Sequence, residues 1–407
     1  MSFGFEVAVC SGGRARTGTI RTPHGDIRTP AFIPVGTKAS VKAVLPEIMA
    51  DLGAQALLAN AYHLYLQPGS DVVDEAGGLG RFMNWPGPTF TDSGGFQVMS
   101  LGAGFKKVLA MDTKGLVGDD VIAEGKKRRA HVDEDGVTFF NHLNGSRLRF
   151  TPEVSMTIQH QLGADIMFAF DELTTLMNTR DYQEASVART HRWAIRCLRA
   201  HATLTEERSR KPYQALFGVV QGAQYEDLRK KAAADLAALE VDGFRFDGFG
   251  LGGALEKENL GRIIGWMVDE LPEDRPRHLL GISEPEDLFE AVAFGADTFD
   301  CVNPSRVARN AAIYTADGRY NVTTARNRRA FEPLEADCDC YTCTHYTRAY
   351  LHHLFKAKEM LASTLATIHN ERFTVRLVDE IRASLESGEF DLFRNEFMGR
   401  YNARKTQ

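Results

Sequence analysis

Three carboxylates stand where short apolar runs end: Asp92 after Thr89–Thr91, Asp171 after Ala164–Phe170, and Asp300 inside Thr298–Cys301. A carboxylate at a strand tip facing a cleft can attack an electrophilic carbon. Beyond Asp300, Pro304 blocks continuation of the strand, and Arg306 and Arg309 are spaced to hold a phosphate chain. The plainer reading of Asp300 is a cap on the next segment. Asp92 is followed by Ser93, Gly94, Gly95 and Phe96. The glycines let backbone approach a flat ligand, and Phe96 can stack on one face of it with Leu280 on the other. Asp171 can accept two hydrogen bonds from the N–H groups of a guanine edge. Gln221 and the N–H of Gly253 can meet the carbonyl side.

A second constellation is Cys338-x-Cys340-x-x-Cys343. Three thiols this close can share one ion, and structural zinc takes four N/S ligands in a closed tetrahedron. His345, His352, His353 and His369 are the candidates for the fourth ligand. His345 sits too near the turn to reach without strain, and His352 and His353 adjoin on a helix, so at most one of them faces the ion.

These residues need a scaffold. Runs of strand type recur at Ala31–Val35, Ala54–Leu58, Thr89–Thr91, Ala164–Phe170, Ala215–Val220, Gly248–Leu251, His278–Ile282 and Thr298–Cys301. Helical stretches lie between several of them. One starts at Thr151-Pro152-Glu153 and stops at Gly163, another spans Tyr225–Leu239, with Asp227 spaced to pair with Lys230 and Lys231, and a third opens at Glu284-Pro285 and closes at Gly295. This alternation predicts a (β/α)₈ TIM barrel, an α/β fold, over residues 1–329, with an open doubly wound sheet as the alternative. Barrel active sites sit at the C-terminal ends of the strands, where these carboxylates, Gln221 and several glycines fall. Leu101–Asp135, with Lys106-Lys107 and Lys126–Arg129 set against Asp119-Asp120 and Asp133–Asp135, reads as an exposed insertion. Residues 330–407 read as a zinc-binding subdomain followed by C-terminal helices.

The chain has 407 residues, 43% hydrophobic and 25% charged, with a net charge of -6. That balance excludes a wholly basic nucleic-acid binder and leaves room only for a local basic patch. The opening Met1–Glu6 lacks an apolar signal core, no run approaches a membrane span, and six cysteines make no disulfide framework. The expectation is a cytoplasmic protein.

The sequence resembles the bacterial tRNA-guanine transglycosylases. The resemblance is carried by Thr91–Ser100 (TDSGGFQVMS), Phe170-Asp171-Glu172, Phe217–Gly222 (FGVVQG), Gly252-Gly253, Gly281-Ile282, Phe299–Arg309 (FDCVNPSRVAR), the cysteine cluster and Ile368-His369-Asn370. It implies a zinc-containing TIM barrel that exchanges the wobble guanine of tRNAs with GUN anticodons for a 7-deazaguanine, in queuosine modification, by double displacement through a covalent Asp–ribose intermediate. It implies Asp300 as nucleophile and Asp92 as proton acceptor, with Asp92, Ser93, Gly94, Gly95, Phe96, Asp171, Gln221, Gly253, Ala254 and Leu280 around the base. Gly281, Ile282, Ser283, Glu284, Pro285, Glu286, Asp287, Ser305, Arg306, Val307, Ala308 and Arg309 would bind RNA. Cys338, Cys340, Cys343 and His369 would hold one structural Zn²⁺, and the chain would form a homodimer.

Two departures bear on the incoming base. Leu173 stands where the family has a cysteine, and Ala254-Leu255-Glu256-Lys257-Glu258 replaces its usual Leu-Ala-Val-Gly-Glu. The expected base is 7-aminomethyl-7-deazaguanine, with queuine as the alternative. Asn303 replaces a commonly apolar residue. A non-catalytic tRNA-binding partner is a competing reading, against which all three carboxylates stand. An archaeosine-type enzyme would carry further RNA-binding domains after its barrel.

Overall fold

The computed structural model describes residues 3–10, 13–97 and 130–403. Eight short parallel strands form its centre: β1 (Ala31–Pro34), β2 (Leu57–Ala59), β3 (Thr89–Thr91), β4 (Ile166–Phe168), β5 (Ala215–Val220), β6 (Gly248–Leu251), β7 (Arg277–Leu279) and β8 (Thr298–Cys301). They pair in the order β1-β8-β7-β6-β5-β4-β3-β2. The ring closes where Val35 bridges Leu58 in parallel and the Gly36 N–H donates to the Leu58 carbonyl at 2.7 Å. A closed ring excludes the doubly wound alternative.

Side chains alternate along each strand with the period of two that pleating requires. Ile33, Leu58, Phe90, Ile166, Phe168, Phe217 and Val219 fill the lumen, while Phe32, Leu57, Met167, Leu216, Leu279 and Phe299 face the surrounding helices. Each such fully buried side chain contributes about 1.5–3 kcal/mol. The glycines of β6 make room for the phenylalanines: a Cβ on Gly248 would lie 2.5 Å from the Phe217 ring.

An antiparallel sheet of Gly4–Cys10, Arg16–Thr22 and Gly25–Thr29 precedes the barrel and sends Ile20 and Ile27 into the lumen cluster. A buried ion pair ties it down, with Arg16 Nη2 2.6 Å from Asp297 Oδ2 just ahead of β8. The sequence reading did not anticipate this sheet.

The expected helices form at Pro152–Leu162, Glu226–Ala238 and Pro285–Ala293. Thr151 Oγ1 accepts from the Val154 N–H, and Gly163 ends the first helix in the left-handed region at φ 70°. Asp227 does not pair with Lys230 and Lys231. It reaches Arg180 on the neighbouring helix, while those lysines take Glu226 and Asp235 at the i,i+4 spacing.

Much of the expected insertion, 101–129, lies outside the described residues. Its last residues are not loop but the start of an antiparallel sheet of Ala130–Val132, Val137–Phe140 and Arg147–Phe150. At the other end, the 28-residue helix Met360–Ser387 runs along the barrel wall. Arg382 donates to the Pro30 carbonyl at 2.9 Å and Arg372 to the Leu52 carbonyl at 3.0 Å. No helix among the described residues is long and apolar enough to cross a membrane.

Candidate active site and metal centre

β8 places Asp300 at the barrel mouth with its side chain 14% exposed. Oδ1 accepts from His278 Nε2 and from the Gly281 N–H, each at 3.1 Å. The other nitrogen of His278 lies 2.8 Å from Thr298 Oγ1, and its ring is wedged between Phe90 and Phe168. A carboxylate can only accept, so Nε2 carries the proton. Among the described residues Oδ2 has no hydrogen-bond partner and is left for chemistry, its direction set by the packed and hydrogen-bonded His278.

Asp92 follows β3 and takes three donors: Asn60 Nδ2, the Ala61 N–H at 2.8 Å and Gln97 Nε2 at 2.7 Å. Burial nevertheless pushes its carboxyl up to about 6, with the charge of Asp300 acting in the same direction. Asp171 follows β4. It accepts from Gln221 Nε2 at 2.6 Å and from Ser93 Oγ at 3.3 Å, and burial, with the charge of Asp92 adding to it, pushes it up to about 6 as well. The three carboxylates thus sense one another at a single mouth. Glu172, beside Asp171, turns away and is bound by Arg189 and by Tyr182 Oη at 2.6 Å.

The ligand-facing walls are small by necessity. Gly253 has φ 83°, and a Cβ there would lie 2.4 Å from Gln221 Oε1, which is itself buried without a partner among the described residues. Gly94 has φ 80°, and a Cβ would meet Phe150 at 2.8 Å, while the Gly95 N–H donates to Ser93 Oγ. Phe96 is a large apolar side chain left 49% exposed. Leu280 is half-buried beside Gly250, and Ala254 is half-buried after β6.

The residues expected to meet RNA divide by exposure. Gly281, Glu286 and Arg306 are exposed, and Glu284, Val307 and Arg309 are half-buried. Ile282, Ser283, Pro285, Asp287, Ser305 and Ala308 are buried and shape the two segments from within. Arg309 Nε donates to the Ser305 carbonyl at 3.1 Å, and Lys257 sits 3.4 Å from Asp287.

In the cysteine cluster, His369 Nδ1 lies 3.5, 3.7 and 3.3 Å from the sulfurs of Cys338, Cys340 and Cys343. Tetrahedral zinc bonds of ordinary length place sulfur and nitrogen about 3.6 Å apart. His369 Nε2 faces the Tyr314 carbonyl at 2.7 Å. A carbonyl only accepts, so the proton sits on Nε2 and the Nδ1 lone pair is free for a metal. The four residues form a donor set that can hold a metal ion and suits zinc. The other histidines are engaged elsewhere: His345 lies 2.9 Å from the Tyr341 carbonyl and His352 3.0 Å from that of Val322, while the His353 ring lies beside Tyr350. The centre is wired to the barrel mouth. Asn370 donates to the carbonyls of Pro304 and Ala312 and accepts from the Tyr314 N–H at 3.0 Å, in the segment that follows Asp300.

Sequence reasoning missed Asn60 and Gln97, the side-chain donors on Asp92, and His278 beneath Asp300. Asn60 follows the tip of β2, so the rule that found the carboxylates also points to it. A lone histidine inside an apolar strand gives no such signal. If His278 aims Asp300, His278→Phe keeps the volume and loses the hydrogen bond. We expect kcat for the reaction at Asp300 to fall about a hundredfold with the fold retained. Unchanged kcat in a folded variant would remove His278 from the site.

The sequence model of one protein family, described as queuine tRNA-ribosyltransferase, matches residues 10–403. The chain is 45% identical over 389 residues to a protein of Symbiobacterium thermophilum named queuine tRNA-ribosyltransferase, covering 96% of this chain and 89% of that one. It is 42% identical over 396 residues to the Bacillus subtilis protein of the same name, covering 97% and 95%. A Pelotomaculum thermopropionicum protein, also so named, is 44% identical over 387 residues, 95% of each chain.

Proposed function

This chain belongs to the queuine tRNA-ribosyltransferase family, whose members are tRNA-guanine transglycosylases of queuosine modification, and from that premise we propose that it exchanges the wobble guanine of GUN-anticodon tRNAs for a 7-deazaguanine by double displacement at Asp300. The observation that carries this reading is the convergence of Asp300, Asp92 and Asp171 at one barrel mouth, with Asp300 aimed by two donors. Asp300 attacks the ribose C1′ as the glycosidic electron pair moves onto the base, and a second base then attacks the same carbon. Configuration is retained, and no energy source is needed. The departing base takes up one proton and the incoming base gives one up. Asp92, at about 6, can hold and release it near neutral pH. The nucleotide must be splayed out of the anticodon stack to reach Asp300. Arg306 and Arg309 are placed to meet its phosphates, and Phe96 to stack on the base.

The cysteine cluster with His369 holds structural Zn²⁺: four protein ligands leave no open position for chemistry. Tyr346 and Tyr350, stacked at 5.4 Å, lie in a run with Tyr341, which is 49% exposed. This aromatic face supports a homodimer, which sedimentation of the purified chain would test. A tRNA substrate places the protein in the cytoplasm.

The incoming base is 7-aminomethyl-7-deazaguanine. The Ala254 carbonyl, with Glu256 and Glu258 on the same rim, offers acceptors for its ammonium, a contact worth roughly 1.5–3 kcal/mol. The relatives' names favour queuine as a second reading. Labelled guanine and tRNA, with mass spectrometry of the wobble base, test the exchange, and kcat/KM for the two bases decides between them. A higher value for queuine would reverse the preference and leave the exchange standing.

Asp171 gives a pH signature. As an ionised acceptor it binds the guanine edge, and protonation near pH 6 removes that capacity. KM for guanine should rise as pH falls through about 6. A carboxyl with a raised folded pKa favours the protonated fold, so the stability it contributes is lost as pH rises from its unfolded value to about 6. At pH 7.5 this costs on the order of 3 kcal/mol. Asp171→Asn should therefore melt higher than the parent at pH 7.5 while binding guanine poorly. A lower melting point would contradict the assigned burial cost.

A further inference from the structure

Arg229, on the helix Glu226–Ala238, has no solvent exposure, and among the described residues it forms no ion pair. Its N–H groups go to backbone carbonyls instead. Nε donates to Ala223 at 2.9 Å, Nη1 to Val220 at 3.1 Å and to Gly252 at 2.6 Å, and Nη2 reaches Ala254 at 3.5 Å. These carbonyls belong to the ends of β5 and β6, the segments that carry Gln221 and Gly253. An unpaired cation this deep is costly. A carboxamide offers two N–H donors where the guanidinium reaches four carbonyls, so the tie is part of its role, and its charge acts on the same carbonyls.

The Gly252 carbonyl and the Gly253 N–H are two ends of one peptide plane. A cation donating to the oxygen draws electron density toward it and makes the N–H a stronger donor. That N–H is the one assigned above to the carbonyl oxygen of the base. We infer that Arg229 is a positioning residue which, through the Gly252–Gly253 peptide, stabilises the negative charge that builds on the base as its glycosidic bond breaks. The inference rests on the base-exchange reading. In that step the C1′–N9 electron pair passes to the base while Asp300 forms its bond to C1′. The charge spreads to the base's carbonyl oxygen, and the proton the base then takes up is replaced when the incoming base gives up its own through Asp92. Burial lowers Arg229 only to about 9, so it stays charged at neutral pH.

The test compares Arg229→Gln and Arg229→Lys in the full chain, with labelled guanine as incoming base and with tRNA carrying either guanine or 8-azaguanine at the wobble position. Arg229→Gln should lower kcat with guanine about thirtyfold, with KM for guanine moving less than about threefold, and Arg229→Lys, which keeps the charge, should recover most of that loss. 8-Azaguanine has a more acidic ring N–H and leaves with less need of stabilisation. Its kcat as the departing base should fall less than that of guanine in each variant. Equal losses in the two variants, KM rising in step with the fall in kcat, or equal losses for the two bases would overturn the inference. If Arg229→Gln shows no cooperative melt, the two bases compared in Arg229→Lys decide alone. A wild-type chain that exchanges no guanine counts against the base-exchange reading and takes the inference with it. An active wild type with indifferent variants counts against Arg229 alone.

Discussion

Asp300→Ala should reduce guanine exchange by about 10⁴-fold or more while leaving the fold and tRNA binding intact. The size follows from position. Asp300 is 14% exposed at the barrel mouth, and two donors fix one oxygen so that the other faces the cleft. No neighbour can replace it: three donors occupy Asp92, and Gln221 and Ser93 hold Asp171. Asp300→Asn keeps the shape and loses the nucleophile, so it should be as inactive as the alanine variant. Retention of a tenth of the activity in either variant would move the nucleophile elsewhere.

The second large effect is expected from the metal. A closed zinc site contributes on the order of 10 kcal/mol of folding energy in small zinc peptides. Here the four residues that can hold the ion join the cysteine cluster to the long helix Met360–Ser387, and Asn370 next to His369 holds the segment after Asp300. Chelation or His369→Ala should lower the unfolding midpoint by about 10 °C or more. Exchange activity should fall with it, through loosening of residues 303–314 rather than through any metal chemistry. Metal analysis of the purified chain should give one zinc per chain, lost in Cys343→Ser. Full zinc content in His369→Ala would rule that ligand out.

The barrel was readable because its strands are short apolar runs bounded by glycine and proline, and because carboxylates at their tips recur in step with them. Strand ends moved by up to three residues, as at β2 and β7, where the strand-type run extends beyond the hydrogen-bonded ladder. The N-terminal sheet was hidden because Arg16–Thr22 carries few apolar residues, and its buried members include Arg16 and Thr17. Nothing local marks that arginine as the partner of Asp297, far along the chain. Spacing alone left several histidines within reach of the cysteines; the family resemblance pointed to His369, and the structure brings it among the three sulfurs. His278 and Arg229 were invisible for the same reason: each acts through a strand or loop that only folding brings beside it. The surface pairing read for Asp227 failed because a neighbouring helix supplied Arg180.

The central claim is covalent capture of the ribose by Asp300. Incubating the chain with tRNA and a slowly exchanging base, quenching in denaturant and mapping the nuclease-trimmed adduct by peptide mass spectrometry tests it most directly. The account predicts one ribose-linked nucleotide on the peptide containing Asp300, absent in Asp300→Ala and present in Asp171→Asn at saturating tRNA. An adduct that persists in Asp300→Ala, or that maps to Asp92, would contradict it.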